Sequence, residues 1–246
     1  MTADPQTAVE IIQPHIAAAW ENEEQMQLRT KVLIVHLPKK GDLRDCGNWR
    51  GISLLNTIYK IVATIIQKRL QCIEESLRDE PAGFRPNRSS VDQANTLRIV
   101  IEQSVEWRSP LYMLFVDFKK AFDTFKREAI WIALSRKGVP SKIISLIKAL
   151  YLNSELAVPH NGKISDSFIT NTGIRQGCPM LSDLFAIVLD DSMIQLPRHK
   201  GGIVWRFTRQ LEDLDFADDI CLFSHKLTHT QVKADCLVML SRTLGW

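Results

Sequence analysis

Apolar and polar positions along this chain follow two periods, and each period predicts a different kind of element. The block VLIVHL (Val32 to Leu37) is rich in β-branched residues and stops at Pro38, which predicts a strand followed by the basic turn Lys39-Lys40-Gly41-Asp42. From Asn56 or Thr57 the apolar positions Ile58, Ile61, Val62, Ile65 and Ile66 keep helical spacing up to Leu70. A second amphipathic helix is predicted over residues 91–107, with Val91, Ala94, Leu97, Ile101 and Val105 on its apolar face. LYMLFVD (Leu111 to Asp117) is six apolar residues ending in a carboxylate, the pattern of a central strand buried on both faces. Two further helices are predicted at about Thr124 to Lys137, closed by Gly138, and Ser141 to Leu152, opened just after Pro140, with Asp123 as the N-cap of the first. Another runs from Ser182 through residue 196, with Ser182 and Asp183 as N-cap and first turn. Two short strands flank Asp218-Asp219, and a last helix starts at Thr228 or Thr230 and is cut by the chain end near Trp246. Strands and helices without regular alternation give an α+β class.

The 246 residues are 45% hydrophobic and 24% charged, enough to bury a substantial core and too apolar for disorder as the main state. No apolar run reaches the roughly 18 residues of a membrane-spanning helix, and the acidic first ten residues match neither a secretory signal nor a transit peptide. Five cysteines without a C-x-x-C pair predict reduced thiols. The expectation is therefore a soluble intracellular protein of the nucleus or cytoplasm, with no membrane contact and no obligate protein partner. The net charge of +3 hides a marked asymmetry. Residues 1–28 carry −5 and residues 29–70 carry +7, so the positive charge is concentrated where phosphates could be met.

Three acids stand where burial would normally forbid them: Asp117 at the end of its apolar strand, and Asp218-Asp219 between Phe216-Ala217 and Ile220 to Phe223. At the tip of a hairpin both aspartates can turn toward a neighbouring strand end, which Asp117 could supply. Three close carboxylates need a hard cation, and oxygen donors in this number suit Mg²⁺ with water and phosphate completing its shell. Two such ions about 4 Å apart serve both the attacking and the leaving oxygen of a phosphoryl transfer. Alone, a pair of adjacent aspartates is better described as a polar hairpin turn.

Five motifs in order change that balance: LPKKGDLRDCGNWRGISLLN (37–56), AGFRPNRSSVDQ (82–93), FVDFKKAFD (115–123), GIRQGCP (173–179) and LDFADD (214–219). Together they resemble the reverse transcriptases of non-LTR retrotransposons, most closely the RTE-like clade, from about Leu28 to the end. The resemblance implies a right-hand polymerase in which residues 1–27 are an acidic lead, 28–110 fingers and 111–246 an incomplete palm, with the chain stopping before the thumb. It implies an RNA-directed DNA polymerase acting on an RNA template, a DNA primer and deoxynucleoside triphosphates, with two Mg²⁺ ions for which Mn²⁺ could substitute. Asp117 and Asp218 resemble the metal-binding palm aspartates, with Asp219 in the supporting or metal-proximal place. Phe122 falls at the steric gate that excludes a 2′-hydroxyl, and Lys39 and Arg50 resemble the finger residues that grip the triphosphate. Gln176 lies where the family places a side chain against nucleotide and template, Gly177 would permit close backbone approach, and Arg85 and Arg88 resemble template contacts. The chain departs from the family at Pro179-Met180-Leu181-Ser182-Asp183, where a Leu-Ser-Pro sequence is usual, and at Phe216, where tyrosine is common.

Two other classes compete with this one. Cys221, His225, His229 and Cys236 could be assembled into a zinc site, but they lack the close ligand spacing such sites show. A truncated, catalytically inactive nucleic-acid-binding fragment is the alternative function, favoured by the altered 179–183 segment and opposed by retention of all three aspartates.

Overall fold

In the computed structural model, which describes residues 4–21, 31–85, 87–118, 120–152, 155–196, 202–205 and 209–245, α1 (Pro5–Glu21) is followed by β1 (Val32–Pro38), β2 (Trp49–Leu54), α2 (Thr57–Leu70) and α3 (Ser90–Glu106). Then come β3 (Tyr112–Asp117), the short α4 (Ala121–Thr124), α5 (Arg127–Arg136), α6 (Ser141–Tyr151), β4 (Glu155–Ala157), β5 (Pro159–His160), β6 (Lys163–Ile164) and β7 (Phe168–Ile169). The described chain closes with α7 (Leu181–Ile194), β8 (Ile203–Trp205), β9 (Arg209–Leu211), β10 (Asp213–Phe216), β11 (Asp219–Ser224) and α8 (Leu227–Leu244). The class is α+β. The chain divides into two units, residues 1–71 with 138–181, and residues 72–137 with 182–246.

In the first unit β1 and β2 form an antiparallel hairpin running from Leu33 opposite Leu54 to Pro38 opposite Trp49, with Leu37 opposite Arg50. β4 joins β1 in parallel and β7 completes the four-stranded sheet β2-β1-β4-β7. Asn56 caps α2 by accepting a hydrogen bond from the Tyr59 amide at 2.6 Å, which satisfies one of the helix's orphan donors. The buried stripe of α2 is Tyr59, Val62, Ala63, Ile66 and Leu70, rotated slightly from the expected one because Tyr59 takes a core place and Ile58, Ile61 and Ile65 are only half-buried. α6 buries six residues, with Leu146 and Ile147 fully enclosed.

The second unit is built on the antiparallel sheet β10-β11-β3. β11 is its central strand, with Ile220, Leu222 and Phe223 almost wholly buried, and α8 packs along β11 and β3 while α3 packs along β10. The expectation that residues 111–117 form the central, doubly buried strand is corrected: β3 is an edge strand whose Tyr112, Phe115 and Asp117 are exposed. The apolar face expected for α3 is corrected as well. Ser89 and Asp92 close a capping box at its start, but Val91, Ile101 and Val105 face solvent, and the buried residue is Val100, beside half-buried Leu97 and Ser104. Asp123 caps no helix: it sits inside α4, and α5 begins after Lys126. α7 starts at Leu181, so Ser182 lies within its first turn. α8 starts at Leu227 and ends on Gly245 in the left-handed conformation (φ 92°), a helix stop made by its own cap.

Candidate active site

Asp117 is the last residue of β3 and Asp219 the first of β11, and the register sets them directly opposite each other. Directly opposed residues of an antiparallel pair share a face with Cβ atoms about 4.5–5.5 Å apart, where like charges repel. Both side chains are exposed, so the expectation of buried carboxylates is corrected for this pair; Asp218 next to them is half-buried. Partial desolvation pushes the Asp219 carboxyl above its ordinary value, and the charges of Asp218 and Asp117 push it in the same direction. The two strands β10 and β11 are joined by the two-residue turn Ala217-Asp218, with Phe216 opposite Asp219. Ala217 carries the turn at φ 57°, a left-handed conformation that costs a residue with a Cβ about 1–2 kcal/mol. Gly83 lies against this turn so closely that a Cβ there would sit 2.1 Å from the Ala217 nitrogen. An open cleft of about 280 Å³ adjoins the aspartates, with Phe115, Asp117, Asp219 and Cys221 on the sheet side and Ala94 and Leu97 of α3 opposite.

Phe122, on α4, is half-buried, with its ring centroid 4.6 Å from that of the fully buried Phe185 and 6.4 Å from that of the exposed Phe84. The ring is therefore anchored by the core without being enclosed in it. Arg88 is exposed, 3.7 Å from Asp79. Arg85 turns inward, its guanidinium donating to the backbone carbonyls of Arg78 and Pro81.

In the other unit Lys39 and Arg50 are both exposed at one end of the β1–β2 hairpin. The connecting loop is held by its own acids: Asp42 Oδ1 accepts from the Arg44 amide at 2.9 Å and Asp45 Oδ1 from the Gly47 amide at 2.8 Å. The two negative charges of the basic segment thus serve as turn caps, and Lys39, Lys40, Arg44 and Arg50 remain exposed around them. Gln176 and Gly177 lie against β2, where the Ser53 amide donates to the Gln176 carbonyl at 2.7 Å. Gly177 has φ 107°, and a Cβ there would meet the Ser53 carbonyl oxygen at 2.8 Å, so the close backbone approach it permits is to β2. Arg175, which sequence reasoning passed over, is buried with its guanidinium 5.3 Å from the Tyr59 ring centroid and 4.9 Å from that of Tyr151, donating to the Leu150 carbonyl.

Sequence reasoning also missed a buried charge network. Arg78 donates from Nε to Asp190 at 2.8 Å, from Nη1 to Asp213 at 2.6 Å and from Nη2 to Asp215 at 2.9 Å, while Lys137 pairs with the second oxygen of Asp190. Burial opposes the Arg78 charge, but Asp213, Asp215 and Asp190 more than compensate and hold its pKa above the ordinary arginine value. The alternation Asp213-Leu214-Asp215 was the available signal, since i and i+2 on a strand share a face.

The candidate zinc residues take other places: Cys221 is buried in β11, and His225 Nδ1 lies 2.8 Å from the Pro110 carbonyl. Among the described residues no three or more His, Cys, Asp or Glu side chains gather closely enough to hold a metal ion. Asp117, Asp218 and Asp219 carry oxygen donors only, the donor chemistry that hard ions take. The sequence profile described as reverse transcriptase (RNA-dependent DNA polymerase) matches residues 37–245, and every element just described except α1 and the first part of β1 lies in that span.

The chain belongs to the reverse transcriptase family. Its curated relatives are proteins of non-LTR retrotransposons. The Transposon TX1 uncharacterized 149 kDa protein of Xenopus laevis is 28% identical over 88% of this chain and 17% of its own length. The Pol polyprotein from the type-2 retrotransposable element R2DM of Drosophila melanogaster is 26% identical over 82% of this chain and 19% of its own. The Popillia japonica Pol polyprotein from the type-1 element R2 is 26% identical over 86% and 29%. The chain thus spans less than a third of the length of these relatives. Among solved structures, apo telomerase from Candida tropicalis, truncated from its C-terminal domain, superposes with a TM-score of 0.65 at 15% identity over 88% of this chain and 48% of that one. Telomerase from Candida albicans, solved with a fragment of telomeric RNA, gives 0.60 at 12% identity over 96% and 44%. The fold is that of polymerase fingers and palm. Membership of the family implies dependence on a divalent metal. Among the described residues no helix is long and apolar enough to cross a membrane.

Proposed function

We propose that this chain carries out RNA-directed DNA synthesis for a non-LTR retrotransposon of the RTE-like clade, adding deoxynucleotides to a primer 3′ end in the nucleus or cytoplasm. The observation that carries the reading is the register that sets Asp117 opposite Asp219 beside the Asp218 turn, on a face open to solvent. In this reading Asp117, Asp218 and Asp219 hold Mg²⁺, for which Mn²⁺ can substitute. Bound there, the ions neutralise charge on the transferring phosphate and lower the pKa of the attacking hydroxyl. The remaining steps belong to the chain. Lys39 and Arg50 bind the triphosphate at the end of the β1–β2 hairpin, Arg50 through its planar fork. Gln176 and Gly177 face nucleotide and template from the loop held against β2. The Phe122 ring, anchored by Phe185, rejects a 2′-hydroxyl by steric clash. Arg88 contacts the template, and Arg85 keeps the loop carrying it in place. Residues 28–110 then serve as fingers and 111–246 as palm.

Primer extension on an RNA template tests this. The chain should extend with deoxynucleotides in Mg²⁺ and stop on chelation, and Asp117→Asn and Asp218→Asn should each abolish extension while remaining folded. Retention of near wild-type rates by both variants would refute the assignment. Template binding without extension by the unaltered chain would point to a nucleic-acid-binding function.

A further inference from the structure

We infer that residues 78–83 are a brace that positions the Asp218 turn, with Arg78 and Gly83 as its positioning residues; the inference rests on the polymerase reading above. The β11–β3 ladder sets Asp219 opposite Asp117, and the β10–β11 ladder ends at the Phe216–Asp219 pair, so Ala217 and Asp218 at the tip lie outside both ladders. Support comes from outside the hairpin. Pro81 forms a parallel bridge with Asp215, the Ala82 amide donates to the Asp215 carbonyl at 2.9 Å, and Gly83 lies directly against the Ala217 backbone.

Arg78 sets the register of this segment. Its guanidinium is shared by two carboxylates of β10 and one of α7, and its backbone amide also reaches Asp190 at 3.2 Å. A planar fork with three fixed directions accepts this arrangement in one position only, unlike an apolar contact that could slide. Stability alone gives little reason for such a network, because apolar residues of similar volume often serve as well. Geometry does give one: the network lies under β10, and the next three residues lead to Asp218. The Arg85 contacts to the Arg78 and Pro81 carbonyls close the same segment from the other side.

The test uses the full 246-residue chain with Gly83→Ala and Arg78→Lys. Gly162→Ala serves as control, since Gly162 has a positive φ but nothing within 4 Å of an added Cβ. Steady-state primer extension is combined with hydrogen exchange at the amides of residues 216–220. Both variants should stay folded with a lowered melting midpoint, lose amide protection at the turn beyond that global loss, and drop kcat by about tenfold or more with KM for the nucleotide within about twofold. The control should match wild type in turn protection and kcat, with only the small fall in melting midpoint that a Cβ at positive φ brings. Unchanged protection and kcat in both variants would overturn the inference. Global unfolding of both would overturn it too, since the segment would then be general core. If Arg78→Lys alone unfolds, Gly83→Ala decides, because it leaves every charge in place. Should the unaltered chain show no extension, the polymerase reading fails, and amide protection alone decides whether the brace exists.

Discussion

Asp215 illustrates how one strand can carry carboxylates with opposite tasks. It points into the core three residues before Asp218, and burial pushes its carboxyl well above the ordinary value, aided by neighbouring Asp213 and opposed by Arg78. One oxygen accepts from Arg78 and the other is buried with no hydrogen-bond partner among the described residues. A folded-state pKa raised above the unfolded one means that the folded state binds more protons, so stability falls as pH rises from the unfolded pKa through the folded one. Asp215→Asn should remove this contribution and flatten the curve, by up to about 1.4 kcal/mol per pH unit in that window. Denaturant unfolding at several pH values from about 4 upward measures it; parallel curves for wild type and variant would contradict the assignment. Phe122 offers a functional counterpart. Removing its ring with Phe122→Ala should lower discrimination against ribonucleotides by at least about tenfold, or roughly 1.4 kcal/mol. Competitive incorporation measures the ratio, and an unchanged ratio would leave Phe122 as a packing residue on Phe185.

At the scale of elements, α3 shows where periodicity misleads. Its expected stripe runs through Val91, Ala94, Leu97, Ile101 and Val105, but Leu97 also borders a second one through Val100, and a helix can bury either side of Leu97. Leu214, Cys221 and Phe223 of the sheet receive the second, so Val100 becomes core while Val105 is 73% exposed. Val100→Ala should cost about 1.5–3 kcal/mol, whereas Val105→Ser should change stability by under about 0.5 kcal/mol. Equal costs in denaturant unfolding would restore the expected face. α2 behaves in the opposite way, since its start is set locally: a start at Asn56 or Thr57 was legible, and the structure gives the cap to Asn56, whose acceptor lies three residues from the amide it satisfies. Asn56→Ala should lower stability by about 1 kcal/mol, read as a drop in the melting midpoint.

Across the whole molecule, charge is unevenly distributed, and this governs how the chain should meet nucleic acid. In the basic segment Lys39, Lys40, Arg44 and Arg50 are exposed, while Asp42 and Asp45 each accept a backbone amide of their own loop. Binding to an RNA–DNA duplex should therefore weaken steeply with salt. Replacing both lysines, Lys39→Gln with Lys40→Gln, should make the slope of log K against log salt shallower by about 0.7–0.9 for every phosphate that the protein then leaves unneutralised. An unchanged slope would place the phosphate-binding surface elsewhere. The sequence by itself determined what depends on neighbours in the chain: the β1 strand, a helix start at Asn56 or Thr57, the helix stop at Gly138, and the ordered motifs that singled out Asp117, Asp218 and Asp219. Tertiary structure alone decided what depends on partners distant along the chain. It made β3 an edge strand, turned Val100 of α3 inward, set Asp117 opposite Asp219, and gathered Arg78, Lys137, Asp190, Asp213 and Asp215 into one buried network. The physical reason is that local propensity acts over a few residues, whereas burial and charge pairing are settled by whichever surfaces the fold brings together, and those five charges are drawn from separate stretches spanning residues 78 to 215.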